Sequence, residues 1–231
     1  MEVPASSLRQ QYMEELQMLE HDLLEMGSRV EAMSAHAVEA LSQINTAKAM
    51  QVIQSDDDID ERDLAIETRC LKLLALQQPM AGDLRVIGTA MKMITDLERV
   101  GDLAVDIAKI TLKIEREMGR ADTVDIPRMA TVARAMLRTS LEAYVKRDMA
   151  IVEQVCVQDD DVDALYRELR EELFDDMREH PENVVSDSWL LLAIHHVERI
   201  ADHAVNIAER VAFMVTGELK HPSAAQDQKE V

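Results

Sequence analysis

The sequence predicts an all-α protein: two tandem three-helix bundles with six principal helices. Three observations carry that prediction. Six Gly, five Pro and 3% aromatic residues accompany fifteen Met and abundant Ala, Leu, Glu and Arg, a composition of helix formers. Apolar residues recur at spacings of three and four, as on one face of a helix. Finally, the stretch Leu97-Glu98-Arg99-Val100-Gly101-Asp102 returns about one hundred residues later as Val197-Glu198-Arg199-Ile200-Ala201-Asp202, the mark of an internal duplication.

Taken in order, Ser6 or Ser7 is expected to cap a first long helix. Its face is Leu8, Tyr12, Leu16, Leu19, Leu23, Met26, Val30, Met33, Ala37 and Leu41, with Gly27 tolerated inside. The pattern breaks around Asn45 and Thr46, and Ala47 to Ile53 forms a short further helical segment. Ser55-Asp56-Asp57-Asp58 is a cluster of N-capping residues that starts a second helix ending before Pro79. Pro79 fits the first turn of a third helix, where its missing N–H costs nothing. That helix runs to about Met118, with Gly119 as its stop. Residues 119–126 read as a linker between a first bundle (1–118) and a second (127–218), followed by a polar tail (219–231). The second bundle repeats the plan: a helix from about Pro127 to Lys146, a short apolar segment from Met149 to Cys156, then Gln158-Asp159-Asp160-Asp161-Val162-Asp163 as the echo of the first aspartate cluster. A helix with Leu165, Leu169 and Leu173 follows, and a last long helix closes at Gly217.

The last helix carries a heptad seam of Leu190, Ile194, Val197, Ala201, Ala204, Ala208, Val211 and Val215, matched by Ala90, Ile94, Leu97, Gly101, Ala104, Ala108 and Thr111. The small residues are expected to admit a neighbouring helix, with close approach as the reason for Gly101. These seams are already used within each bundle, so a homodimer is left open.

A formal net charge of −20 disfavours binding to nucleic acid or to an anionic membrane surface. It suits cations and basic patches on protein partners. Cys70 and Cys156 lie far apart in apolar surroundings and read as reduced core thiols. The N-terminus lacks a basic region followed by an apolar run, and no stretch approaches the roughly 18 apolar residues of a membrane span. A cytoplasmic protein without membrane insertion is expected.

The chemistry lies in the carboxylates. Glu98 and Asp102, like Glu198 and Asp202, stand four apart on one helix face. Asp56 with Asp60, and Asp159 with Asp163, offer matching pairs on the second helix of each unit, and Asp106 and Asn206 extend the row by a turn. Such a face is either a solvated acidic surface with Arg99, Arg199 or Lys109 as counter-ions, or an all-oxygen pocket for a hard cation or a small metal cluster. His195, His196 and His203 have no counterparts in the first copy and read as surface or packing residues. No Gly-rich phosphate loop and no nucleophile–base constellation occurs, so the sequence does not read as an enzyme.

The doubled motif, together with Asp83-Leu84-Arg85 after Gln78-Pro79, resembles the PhoU family of bacterial phosphate-transport accessory proteins. Ala201 in place of a glycine and Asn206 opposite Asp106 are the departures. The resemblance implies a regulator of phosphate homeostasis that restrains uptake and the starvation response when phosphate is plentiful. Its implied partners are the ATP-binding subunit of the phosphate ABC transporter and a phosphate-sensing histidine kinase. It further implies multinuclear iron or zinc (or manganese) clusters on Asp56, Asp60, Glu98, Asp102 and Asp106, and on Asp159, Asp163, Glu198, Asp202 and Asn206. The rival expectation is a helical metal-binding or metal-storage protein.

Overall fold

Among the described residues, seven α-helices and one 3-10 turn build the fold: α1 (Ala5–Ser42), α2 (Thr46–Gln54), α3 (Asp56–Gln77), α4 (Ala81–Arg116), α5 (Ile126–Lys146), α6 (Met149–Glu179), the 3-10 turn Pro181–Asn183 and α7 (Val184–Thr216). The computed structural model describes residues 5–77, 79, 81–117 and 119–218; the side chains of residues 5–8, 76 and 77 and the tail expected at 219–231 lie outside that description. Counting α2 and α3 as one broken helix gives the six principal helices of two three-helix bundles, α1–α4 and α5–α7.

The hairpin turn between the first two helices is built alike in both bundles. Ile44 (φ 49°) and Arg147 (φ 54°) adopt the left-handed conformation that ends a helix. The next residue caps the following helix: Asn45 Oδ1 accepts from the Lys48 N–H at 3.0 Å, and Asp148 Oδ1 accepts from the Ala150 N–H at 2.9 Å. The duplication extends to turn chemistry.

Several helix boundaries differ from the expected ones. Helix α1 is already running at Ala5, so Ser6 and Ser7 stand within it. Ser55 does not cap α3; its hydroxyl donates back to the Val52 carbonyl at 2.7 Å, and its N–H bonds to Gln51 and Val52. In the second bundle no break exists at all, because Gln158 continues the helix where Ser55 interrupts it, and α6 runs unbroken from Met149 to Glu179. Helix α4 begins at Ala81, so Pro79 precedes it rather than occupying its first turn, and it ends at Arg116, with the Gly119 N–H reaching back to the Ile114 carbonyl at 2.9 Å. Gly217, at φ 75°, donates to the Phe213 carbonyl as a left-handed stop for α7.

Helix α4 lies against α7, and α1 against α5. Both pairs are antiparallel: Thr89 bonds to Arg210, Asp96 to His203, and Lys113 lies over Trp189, while Gly27 meets Leu141 and Glu31 pairs with Arg134 and Arg138. The four inner helices therefore close a ring, α1–α4–α7–α5, with α3 and α6 on opposite flanks. Every seam residue is buried except Val215. The connection between α4 and α5 packs too, burying Ala121 and Val124. Cys70 and Cys156 are free thiols, buried and half-buried. No helix among the described residues is long and apolar enough to cross a membrane.

Candidate functional site

Helix α3 packs on α4, and α6 on α7. Each outward-facing groove sets the expected carboxylates opposite one another. In the first repeat, burial raises the pKa of Asp56 above the usual carboxylate range, with Asp60 and Asp102 adding to the shift and Lys109 opposing it. Burial likewise raises Glu98; Asp102 adds to it, Arg99 opposes it, and Asp63 and Asp60 contribute from across the groove. Carboxylates of both helices thus feel each other's charge. The second repeat does this more strongly. Burial together with Asp163, Asp202, Asp160 and Glu198 pushes Asp159 up to about 6. Glu198 is raised by burial, Asp202 and Asp163, and Asp202 by burial and Asp163, with His195 and His203 opposing the respective shifts.

The counter-ions are also in place. The Arg99 Nη1 donates to Asp102 Oδ2 at 2.7 Å, and its Nε lies 3.4 Å from Glu98 Oε2. Lys109 donates to Asp106 Oδ1 at 3.1 Å, so Asp106 ends the row with its own cation. In the second repeat His195 Nδ1 stands 3.1 Å from Glu198 Oε2. Asn206 leaves the row: it donates to Asp96 Oδ1 of α4 at 3.3 Å, and the same oxygen lies 2.9 Å from His203 Nδ1. Asp96, His203 and Asn206 form a polar tie between the repeats that the sequence reading did not identify. It assigned the histidines to surface or packing roles, and only the antiparallel contact of α4 and α7 brings Asp96 to them. Asp63 is a second residue that the reading missed. Burial, Glu67 and Asp60 raise it, and its spacing of three from Asp60 was the available signal.

The paired carboxylates offer oxygen donors of the kind a hard cation takes, and burial with like charge raises proton affinity on both flanks. The geometry is open: among the described residues no three His, Cys, Asp or Glu side chains converge closely enough to hold a single metal ion.

A duplicated three-helix bundle with one carboxylate-lined groove on each flank is the class of protein that this fold and site define. The PhoU domain family model matches residues 23–111 and again 126–211, once for each repeat. The chain is 38% identical over 204 residues to the "Phosphate-specific transport system accessory protein PhoU homolog" of Clostridium acetobutylicum, covering 88% of this chain and 93% of that one. Among solved structures, PhoU from Pseudomonas aeruginosa superposes with a TM-score of 0.85 at 33% identity, covering 90% of this chain and all of that one. The phosphate transport system regulatory protein PhoU from Streptococcus pneumoniae gives a TM-score of 0.80 at 29% identity, covering 90% of this chain and 99% of that one. The chain belongs to the PhoU family.

Proposed function

We propose that this protein is a non-catalytic regulatory adaptor of phosphate transport. It acts in the cytoplasm on the ATP-binding subunit of a phosphate ABC transporter and on a phosphate-sensing histidine kinase, restraining uptake and the starvation response when phosphate is plentiful. The observation that carries this reading is the near full-length match, through both repeats, to relatives named as accessory proteins of the phosphate-specific transport system. A ring of four packed helices with a carboxylate-lined groove on each flank suits a scaffold that holds partners. The test is co-purification of the transporter's ATP-binding subunit with the untagged chain, paired with phosphatase expression in a deletion strain. Association together with derepressed phosphatase under phosphate-replete growth is the expected result. Absence of both sinks the reading.

A second reading, cation binding at the carboxylate grooves, is favoured by the raised Asp159, Glu198 and Asp202, each lifted first by burial and then by like-charge repulsion from neighbouring carboxylates. A divalent cation would relieve that repulsion. Asp56, Asp60, Glu98 and Asp102, with Asp106 at the end of the row, would hold it on one flank. Asp159, Asp163, Glu198 and Asp202 would hold it on the other, with Asn206 outside the set through its bond to Asp96. Iron, zinc or manganese is expected to raise the melting temperature of the wild type and not of Asp102→Ala/Asp202→Ala. The rise in the second repeat is expected to fade as pH falls through about 6, where Asp159 takes up its proton. Equal metal content by elemental analysis in wild type and double variant would refute the assignment of these residues. A metal-storage role would show as metal-responsive growth without any phosphate phenotype.

A further inference from the structure

The acidic groove between α6 and α7 opens, toward the C-terminal end of α6, into an apolar groove of about 730 Å³. Tyr166, Phe174 and Trp189 line it, three of the six aromatic residues in the chain. Phe174 (37% exposed), Val184 (40%), Val185 (50%) and Leu192 (37%) present apolar surface to solvent there. Aromatic side chains gathered in an open groove are the usual anchors of a protein interface.

The duplication supplies an internal control. With Asp60 aligned to Asp163 and Glu98 to Glu198, Tyr166, Arg170, Val185 and Leu192 occupy the positions of Asp63, Glu67, Arg85 and Lys92. The first repeat thus carries four charged residues at positions where the second has three apolar or aromatic residues and one cation. Both copies share the carboxylate pairs, so the common fold does not require Tyr166, Val185 or Leu192 there, while Phe174 and Val184 match the exposed leucines Leu71 and Leu84 of the first repeat.

Charge decides the occupant. The chain has 45 Asp and Glu against 25 Lys and Arg, yet among the described residues no carboxylate lines this groove, and its charged or titratable lining residues are Arg170, His195 and Tyr166. The Arg170 guanidinium lies 5.7 Å from the Tyr166 ring, and among the described residues it pairs with its exposed neighbour Glu171 at 3.3 Å. We infer that the α6–α7 groove docks an amphipathic helix of another protein, whose apolar ridge fills the aromatic floor and whose acidic flank pairs with Arg170. Apolar residues at i, i+3 or i+4, and i+7 follow from helix-in-groove geometry. One repeat of the duplicated scaffold is thereby specialised for partner recognition.

The test uses the full chain and a displayed library of helical peptides, selected on the wild type and counter-selected on Phe174→Glu. Phe174 is partly exposed, so this variant is expected to fold, and its melting curve checks that. Trp189 is the sole tryptophan, and its emission reports occupancy of the groove directly. Recovered peptides are expected to carry the apolar ridge with flanking Asp or Glu and to shift Trp189 emission saturably. They are expected to bind Phe174→Glu at least tenfold more weakly, and Arg170→Glu is expected to prefer their Lys-flanked counterparts. Peptides that bind Phe174→Glu equally well, or that show no acidic bias, overturn the proposal. So does sedimentation showing that the wild type self-associates and Phe174→Glu does not, since the occupant would then be a second copy. Because the probes are synthetic peptides, failure here is distinguishable from failure of the adaptor reading.

Discussion

Replacing Asp187 by asparagine is expected to stabilise the protein at neutral pH and to flatten its pH dependence. Asp187 sits in the first turn of α7 and is fully buried. Its Oδ1 accepts from the Thr123 hydroxyl at 3.1 Å, while Oδ2 is buried without a hydrogen-bond donor. The neighbouring carboxyl is Asp176 of α6, held by the Asn183 amide at 2.8 Å. Burial and the bond to Asp176 push Asp187 up to about 6, with Thr123 and Arg120 opposing, while Asp176 is lowered by Asn183, Asp187, His180 and Arg120. Two carboxyls sharing one proton account for the orphaned oxygen. The pair titrates as a unit.

In the unfolded chain Asp187 releases its proton near pH 4, as aspartates ordinarily do. In the folded chain it keeps the proton to about 6. Between those values the folded state binds the additional proton, so stability falls as pH rises from about 4 to about 6 and does not return above it. Asparagine keeps the Thr123 bond through its oxygen and offers its N–H group to Asp176 without a charge. A gain of about 1–2 kcal/mol at pH 7.5 is expected, vanishing near pH 4.5. Urea denaturation of both proteins at the two pH values measures it; a difference independent of pH would refute the shared proton. Thr123 lies in the connection between the bundles, so its hydroxyl bond to Asp187 Oδ1 helps to hold that connection against α7.

The second large effect comes from Gly27, which the sequence shows only as a glycine tolerated inside the first helix. A Cβ at Gly27 would stand 2.5 Å from Leu141 Cδ1 and 3.1 Å from Cδ2. Leu141 is itself nearly buried, so it must leave its rotamer or α1 must move off α5. Gly27→Ala is expected to destabilise by about 1–3 kcal/mol, the usual cost of overpacking, even though alanine is the better helix former. At Gly101, by contrast, the nearest atom to an added Cβ is Ile59 Cγ2 at 3.4 Å, an ordinary contact. The expectation of close approach therefore fails there. Gly101→Ala is expected to stabilise by about 0.5–1 kcal/mol through helix propensity, and Ala201 already occupies the matching position. Thermal or urea melts of the two variants check both signs; a stabilising Gly27→Ala would mean that α1 and α5 pack more loosely than these distances imply.

The sequence by itself determined the helical class, the duplication, the seams and the four carboxylate pairs. All of these are set by periodicity, because residues three and four apart share a helix face whatever that face meets. Legibility ended where two helices distant in the chain come together. The break at Ser55 and its absence at Gln158 turned on one residue's hydroxyl competing for a backbone carbonyl, which the repeated aspartates on either side concealed. Gly27 and Gly101 look alike in sequence; only the crossing of α1 over α5 separates them. Asn206 continues the spacing of the acidic row, yet the tertiary contact of α4 with α7 turns it to Asp96. The apolar groove, too, is spread over residues of α6 and α7 whose individual spacings are unremarkable. Local pattern specifies which face a residue occupies, and packing alone decides which neighbour that face receives.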